Sequence, residues 1–176
     1  MSLPKFRYHP NPLATGSIEE SDAECLCCEK ARGYIYVCNT YSEEDIEEAL
    51  CPWCIADGSA AEKFDATFSD DAPLVDEGIE EEIVEEVTQR TPGFLSWQQD
   101  VWLCCCDDAC EYHGDASREH LAKLKGEALE EALEQLSCTE DEWPDFLKNY
   151  EPGGSPAVYH FICRHCRKSK YGTDSD

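Results

Sequence analysis

The sequence predicts a small α+β domain in which short β-strands and several helices are held together around cysteine pairs. Three observations predict it. Cysteines stand two residues apart three times, at Cys25/Cys28, Cys51/Cys54 and Cys163/Cys166. Short aromatic and β-branched runs alternate with helical patterns. Hydrophobic residues make up 41% of the 176 residues, enough for a packed core, and no apolar run approaches the roughly 18 residues of a membrane span.

The N-terminal stretch to about residue 20 contains Phe6, Tyr8, His9 and Leu13, too apolar for a free tail, and is expected to pack across the body as an extended arm. It has three prolines and no apolar core, so it does not read as a secretory signal. Ser17 to Glu24 reads as an acidic lead-in, Lys30–Gly33 as a turn, and Tyr34–Cys38 as a strand. Ser42, followed by Glu43, Glu44 and Asp45 and by Ile46, Ala49 and Leu50, predicts a capped helix delivering Cys51. A second short helix is expected from Ser59 to Lys63 or Phe64, then an irregular stretch to Val75. Glu77 to Arg90 predicts a helix with Ile79, Ile83, Val84 and Val87 on one face, stopped by Thr91-Pro92-Gly93. Ser96–Cys104 reads as a strand. Helical leucine spacing follows from Ser117, broken near Gly126. Thr139 and Glu142 form a capping box for a last helix, and Val158–Ile162 is a strand running into Cys163. The whole of 1–176 reads as one domain, with two zinc lobes at about 1–90 and 91–176 as a possible subdivision.

Cys25, Cys28, Cys51 and Cys54 make two C-x-x-C pairs with 22 residues between them, the spacing of a four-cysteine zinc site. Four thiolates complete a tetrahedral shell, so the site is expected to be structural. The Cys51–Cys54 pair alone would suit a thioredoxin-like redox motif, but the upstream pair argues for metal. For Cys163 and Cys166 the expected partners are Cys106 and Cys110, with Cys104 or Cys105 able to stand in for them. Two zinc ions per chain follow, stabilising the domain through two treble-clef- or zinc-ribbon-like knuckles. Arg164, Arg167, Lys168 and Lys170 around the last pair would offset its negative charge, or form a solvated basic tail. Trp97, Trp102, Arg90 and the Asp57-Gly58-Ser59 turn are candidates to line a pocket, with core packing the competing role for the tryptophans. No serine–histidine–aspartate order or phosphate loop stands out.

Thirteen cysteines without an export signal point to metal rather than disulfides, and to a reducing cytoplasm. The net charge is −25, from 14 basic and 39 acidic residues. Eight thiolates and two zinc ions would take it to about −29. That sign excludes a phosphate-backbone reader and favours a basic partner.

Several stretches together resemble the CbrC family of bacterial proteins. They are Phe6-Arg7-Tyr8-His9-Pro10-Asn11-Pro12, Thr15-Gly16, Cys25-Leu26-Cys27-Cys28, the run from Cys51 to Ala61, Arg90-Thr91-Pro92-Gly93-Phe94 and Ser96-Trp97-Gln98-Gln99. The resemblance runs from about residue 4 to 170. That family is of uncharacterised biochemistry, and a member is associated with tolerance to a nuclease colicin. In its pattern a histidine commonly stands where this chain has Cys105, which leaves open whether Cys105 or Cys106 binds the second zinc.

The expected function is therefore that of a zinc-binding protein acting through protein–protein interaction, with immunity or resistance against a basic nuclease toxin as its most specific form. The rivals are a zinc enzyme and a redox or metal sensor. The enzyme would use an open cysteine-ligated site with Asp107, Asp108 or Glu111 as base. The sensor would draw on the Cys104-Cys105-Cys106 run.

Overall fold

A computed structural model describes residues 2–175. Strands β1 (Ile18–Glu24) and β2 (Ala31–Tyr36) form an antiparallel hairpin, with register running from Ile18↔Tyr36 to Glu24↔Ala31. The acidic lead-in is thus itself a strand: Ile18 faces the core while its acidic neighbours face solvent. The second strand starts three residues earlier than expected, because the turn is made by Cys25–Lys30. Gly33 lies within the strand at φ 85°, beside the irregularity between Ser21 and Glu24, where a glycine meets no steric cost.

The helix expected after Ser42 does not form. The Ser42 hydroxyl donates to the Phe64 carbonyl and accepts from Glu44 N–H, closing a local turn instead of a helix cap. The Ala49 and Leu50 carbonyls accept from Leu26 and Tyr36, so they are unavailable to a helix. Four helices follow: α1 (Pro52–Ala56), α2 (Ser59–Phe64), α3 (Ala72–Asp76) and α4 (Glu81–Arg90). The α3 turn lies inside the stretch read as irregular. The α4 helix begins four residues late, after Gly78 at φ 74°, and stops at extended Thr91 as expected.

Residues 96–103 are not a strand. The Trp97 and Gln98 N–H groups both donate to the Asp174 carboxylate, a side-chain acceptor in place of a neighbouring strand. Strands β3 (Cys104–Cys105) and β4 (Asp108–Ala109) form a minimal hairpin. Strand β5 (Glu111–Asp115) opens a three-stranded antiparallel sheet, β5-β6-β7, completed by β6 (Ala157–Ile162) and β7 (Ser169–Asp174). Helices α5 (Arg118–Leu121), α6 (Glu127–Gln135) and α7 (Trp143–Asn149) lie in the connection, with α6 against β7. The break at Gly126 and the Thr139–Glu142 box are both present: the Glu142 carboxylate accepts from Thr139 N–H at 3.0 Å. The basic C-terminal segment is no free tail. Lys168 and Lys170 pair with Glu127 and Glu131 of α6.

Buried side chains gather in three groups: one around the β1–β2 hairpin, α1 and α2, one around Phe94 and Trp102, and one under α5–α7. The arm packs as expected, with Phe6 in the first group and Tyr8 in the second. Phe94 stacks on Tyr112 at 4.3 Å between ring centres. Its neighbour Gly93 sits where a Cβ would lie 1.9 Å from the Phe68 carbonyl oxygen. The chains of the first and second groups touch here at a distance only glycine allows.

Candidate metal centres

Each C-x-x-C pair that ends a hairpin is built the same way. In the β1–β2 connection, Cys25 N–H donates to the Lys30 carbonyl and Glu29 N–H donates to the Cys25 carbonyl. Glu29 is left-handed at φ 54°. In the β6–β7 connection, Cys163 N–H donates to the Lys168 carbonyl and Arg167 N–H to the Cys163 carbonyl, with Arg167 at φ 60°. Both loops curl so that two sulfurs face one point.

The partners of the two loops differ. In the first centre they come from the start of α1. Cys51 is extended at φ −85°, ψ 150° just before Pro52, a proline that fits the first helical position. Cys51 N–H points at Cys25 Sγ, 3.2 Å away. The sulfurs of Cys25, Cys28, Cys51 and Cys54 all lie within 4.8 Å of one another, with Cys25–Cys54 and Cys28–Cys51 at 3.9 Å and Cys51–Cys54 at 3.6 Å. A tetrahedron with metal–sulfur bonds of about 2.3 Å has edges of about 3.8 Å, so the set fits one ion. Lys63 of α2 donates to the Leu26 and Cys27 carbonyls and clasps the loop from outside. Cys51, Cys54 and Cys25 are buried.

In the second centre the partners are Cys105 and Cys106. Their sulfurs and those of Cys163 and Cys166 lie within 4.8 Å of one another, with Cys105–Cys106 and Cys105–Cys166 both at 3.8 Å. The expected ligand Cys110 stands elsewhere. It is fully buried beside Trp102, whose indole N–H donates to its carbonyl, and burial pushes its thiol up to about 12. The reason is the β3–β4 turn. Successive strand residues point to opposite faces, but Cys106 and Asp107 are both left-handed, at φ 56° and 57°, and fold Cys106 back beside Cys105. Both residues that could have taken the position therefore do so. Cys106 and Cys166 are exposed.

Asp108 fixes this second loop. It is almost buried and accepts from the Tyr8 hydroxyl, Arg164 and His165, each at 2.8 Å. Burial opposes its ionisation, but those three bonds hold its carboxyl below the usual range. Arg164 also lies over the Tyr8 ring, and Arg167 pairs with Glu111. His165 is thus a carboxylate partner outside the sulfur set. In both centres the first cysteine of the hairpin loop is the acidified one. Cys25 is pushed down to about 4, chiefly by its bond with Cys51, against burial. Cys163 is pushed down to about 6: burial opposes this, and the Cys166 and His165 N–H groups outweigh it.

None of the thirteen cysteines is in a disulfide. Arg90 and the Asp57–Gly58 turn share a cavity of about 460 Å³. The tryptophans are elsewhere: Trp102 is core, and Trp97 is half exposed with its indole N–H on the Gly154 carbonyl. No helix among the described residues is long and apolar enough to cross a membrane.

A UPF0167 protein of Pseudomonas aeruginosa is 51% identical over 173 residues, covering 98% of this chain and 97% of the relative. UPF0167 proteins of Mycobacterium bovis and Mycobacterium tuberculosis are each 42% identical over 166 residues, covering 93% of this chain and 89% of the relative. No solved structure matches the chain. The model of the uncharacterised protein family UPF0167 matches residues 3–175, and the chain belongs to that family.

Proposed function

We propose that the protein is a two-zinc cytoplasmic scaffold that acts by binding a basic protein. The finer form of the proposal is immunity-like neutralisation of a cationic nuclease toxin, supported by the resemblance to the CbrC family and its association with colicin tolerance. Zinc is the ion that four thiolates at these spacings suit, and a full sulfur shell leaves no position for a substrate. We read the first centre as treble-clef-like, a hairpin loop facing a helix start, and the second as ribbon-like, a hairpin loop facing a second hairpin.

One observation carries the partner reading. Glu80, Glu81, Glu82 and Glu85 of the α4 region are exposed and, among the described residues, make no ion pair. By contrast, the cations around the second centre are occupied by Asp108, Glu111, Glu127 and Glu131. With the net charge of −25, the surface around α4 is strongly acidic, which steers a basic partner and repels phosphate backbones. The enzyme reading is disfavoured because Asp108 already holds three partners.

Elemental analysis of metal-replete protein should give two zinc ions per chain; one or none sinks the scaffold. Association with a cationic nuclease domain should slow steeply with salt, as the Debye length falls from roughly 30 Å at 0.01 M to 10 Å at 0.1 M. Reversing Glu81, Glu82 and Glu85 to lysine should slow it further. An on-rate indifferent to both changes would remove the partner reading.

A further inference from the structure

We propose that the groove between α3 and α4 docks a basic segment of a partner protein that also carries apolar anchor residues. The inference rests on the basic-partner reading and gives that partner a binding surface. The groove encloses about 670 Å³. Its apolar lining is Val75, Ile79 and Val84, and its charged lining is Asp71, Glu81 and Glu85. Val75 is 56% exposed, among the most exposed large apolar side chains of the molecule.

The two linings together select the occupant. A purely cationic segment would leave Val75 and Ile79 in water. A purely apolar one would strip water from three carboxylates with nothing to compensate them. Nucleic acid and anionic lipid are repelled. A segment with leucine-like side chains flanked by lysine or arginine satisfies both, the usual way an amphipathic segment lies in a groove.

A second cavity extends the site. Glu85 and Gln89 line the α3–α4 groove and also the neighbouring cavity of about 460 Å³, which adds Asp57, Glu62 and Asp65. A lysine or arginine of the docked segment that passes Glu85 enters this cavity. Arg90 lines it too, and its Nε is buried with no hydrogen-bond partner among the described residues.

The test uses zinc-replete full-length protein and two fluorescent peptides of equal charge. One alternates lysines with leucines at helical spacing; the other has serine for each leucine. The leucine peptide should bind about tenfold tighter than the serine peptide, the factor expected for one well-buried apolar side chain. Val75→Asp should weaken the leucine peptide about tenfold although it makes the surface more acidic, and Glu85→Lys should weaken both peptides. If the two peptides bind equally and Val75→Asp is neutral or tighter, the groove is overturned while acidic-surface binding stands. If neither peptide binds at low salt, the groove and the basic-partner reading both fall. The comparison of peptides on the unmodified protein needs no variant to fold.

Discussion

His9 shows how much one buried side chain fixes. Its Nδ1 lies 2.8 Å from the Pro92 carbonyl, which can only accept, so Nδ1 carries the proton. Nε2 then accepts from the Thr15 hydroxyl at 2.6 Å. The imidazole thereby ties the arm to the segment that ends α4, and its edge packs against Tyr112. Burial pushes its pKa down from 6.5 to about 4. The sign follows from proton counts. Between these values the unfolded chain binds a proton that the folded chain refuses, so the stabilisation is present above about pH 6.5 and is lost as pH falls toward 4. The full loss is on the order of 3 kcal/mol. Asp100 acts oppositely: burial pushes it up to about 6, so it favours the folded state on the acid side. The prediction is therefore a difference between variants. His9→Asn should destabilise by about 2 kcal/mol at pH 7, where two buried bonds are disturbed. The gap to the unmodified protein should narrow steadily by pH 4.5 in denaturant titrations, and a constant gap would show that His9 is not held neutral. The sequence showed that the arm around His9 was too apolar to be free. The neutral state depends on Pro92 and Thr15 meeting in space, which no local pattern encodes.

At the scale of elements, the hairpin loops were legible and their partners only half so. A C-x-x-C pair fixes its own geometry within six residues, so Cys25/Cys28 and Cys163/Cys166 could be read directly. Cys51 and Cys54 were legible because proline at the first helical position marks where the sulfurs are presented. The second centre misled because Cys106-x-x-x-Cys110 imitates a ligand spacing. The actual device is a two-residue turn with two left-handed residues, and Cys106-Asp107 lacks the Asn-Gly or Asp-Gly signal that usually announces one. The same rule explains the absent helix after Ser42, where a sound local cap lost to backbone partners distant in sequence. The turn makes a prediction. Cys105→Ser should lower the metal content by one ion, whereas Cys110→Ala should keep both ions and cost about 1 kcal/mol of packing. Metal analysis showing loss on Cys110→Ala and retention on Cys105→Ser would restore the spacing-based assignment.

For the whole molecule, the two centres are matched in ligand type and unmatched in exposure. The first has Cys25, Cys51 and Cys54 buried and its loop clasped by Lys63. The second presents Cys106 and Cys166 to solvent, on a turn and a hairpin tip at the surface. A chelator or a proton must reach a thiolate to displace metal, so access sets the order of release. The Asp108 network holds the second loop through Arg164 and His165 but leaves Cys106 and Cys166 uncovered. On exposure of metal-replete protein to excess chelator, metal should leave in two steps of equal amplitude, the first from Cys105, Cys106, Cys163 and Cys166. The protein should keep the helical signal of α1 and α2 after that step, because the first centre and the core around them remain intact. Cys105→Ser, left with the buried centre, should show only the slow step. Release in a single step, or a fast step that survives Cys105→Ser, would mean that exposure does not rank the two centres and that opening of the whole chain governs both.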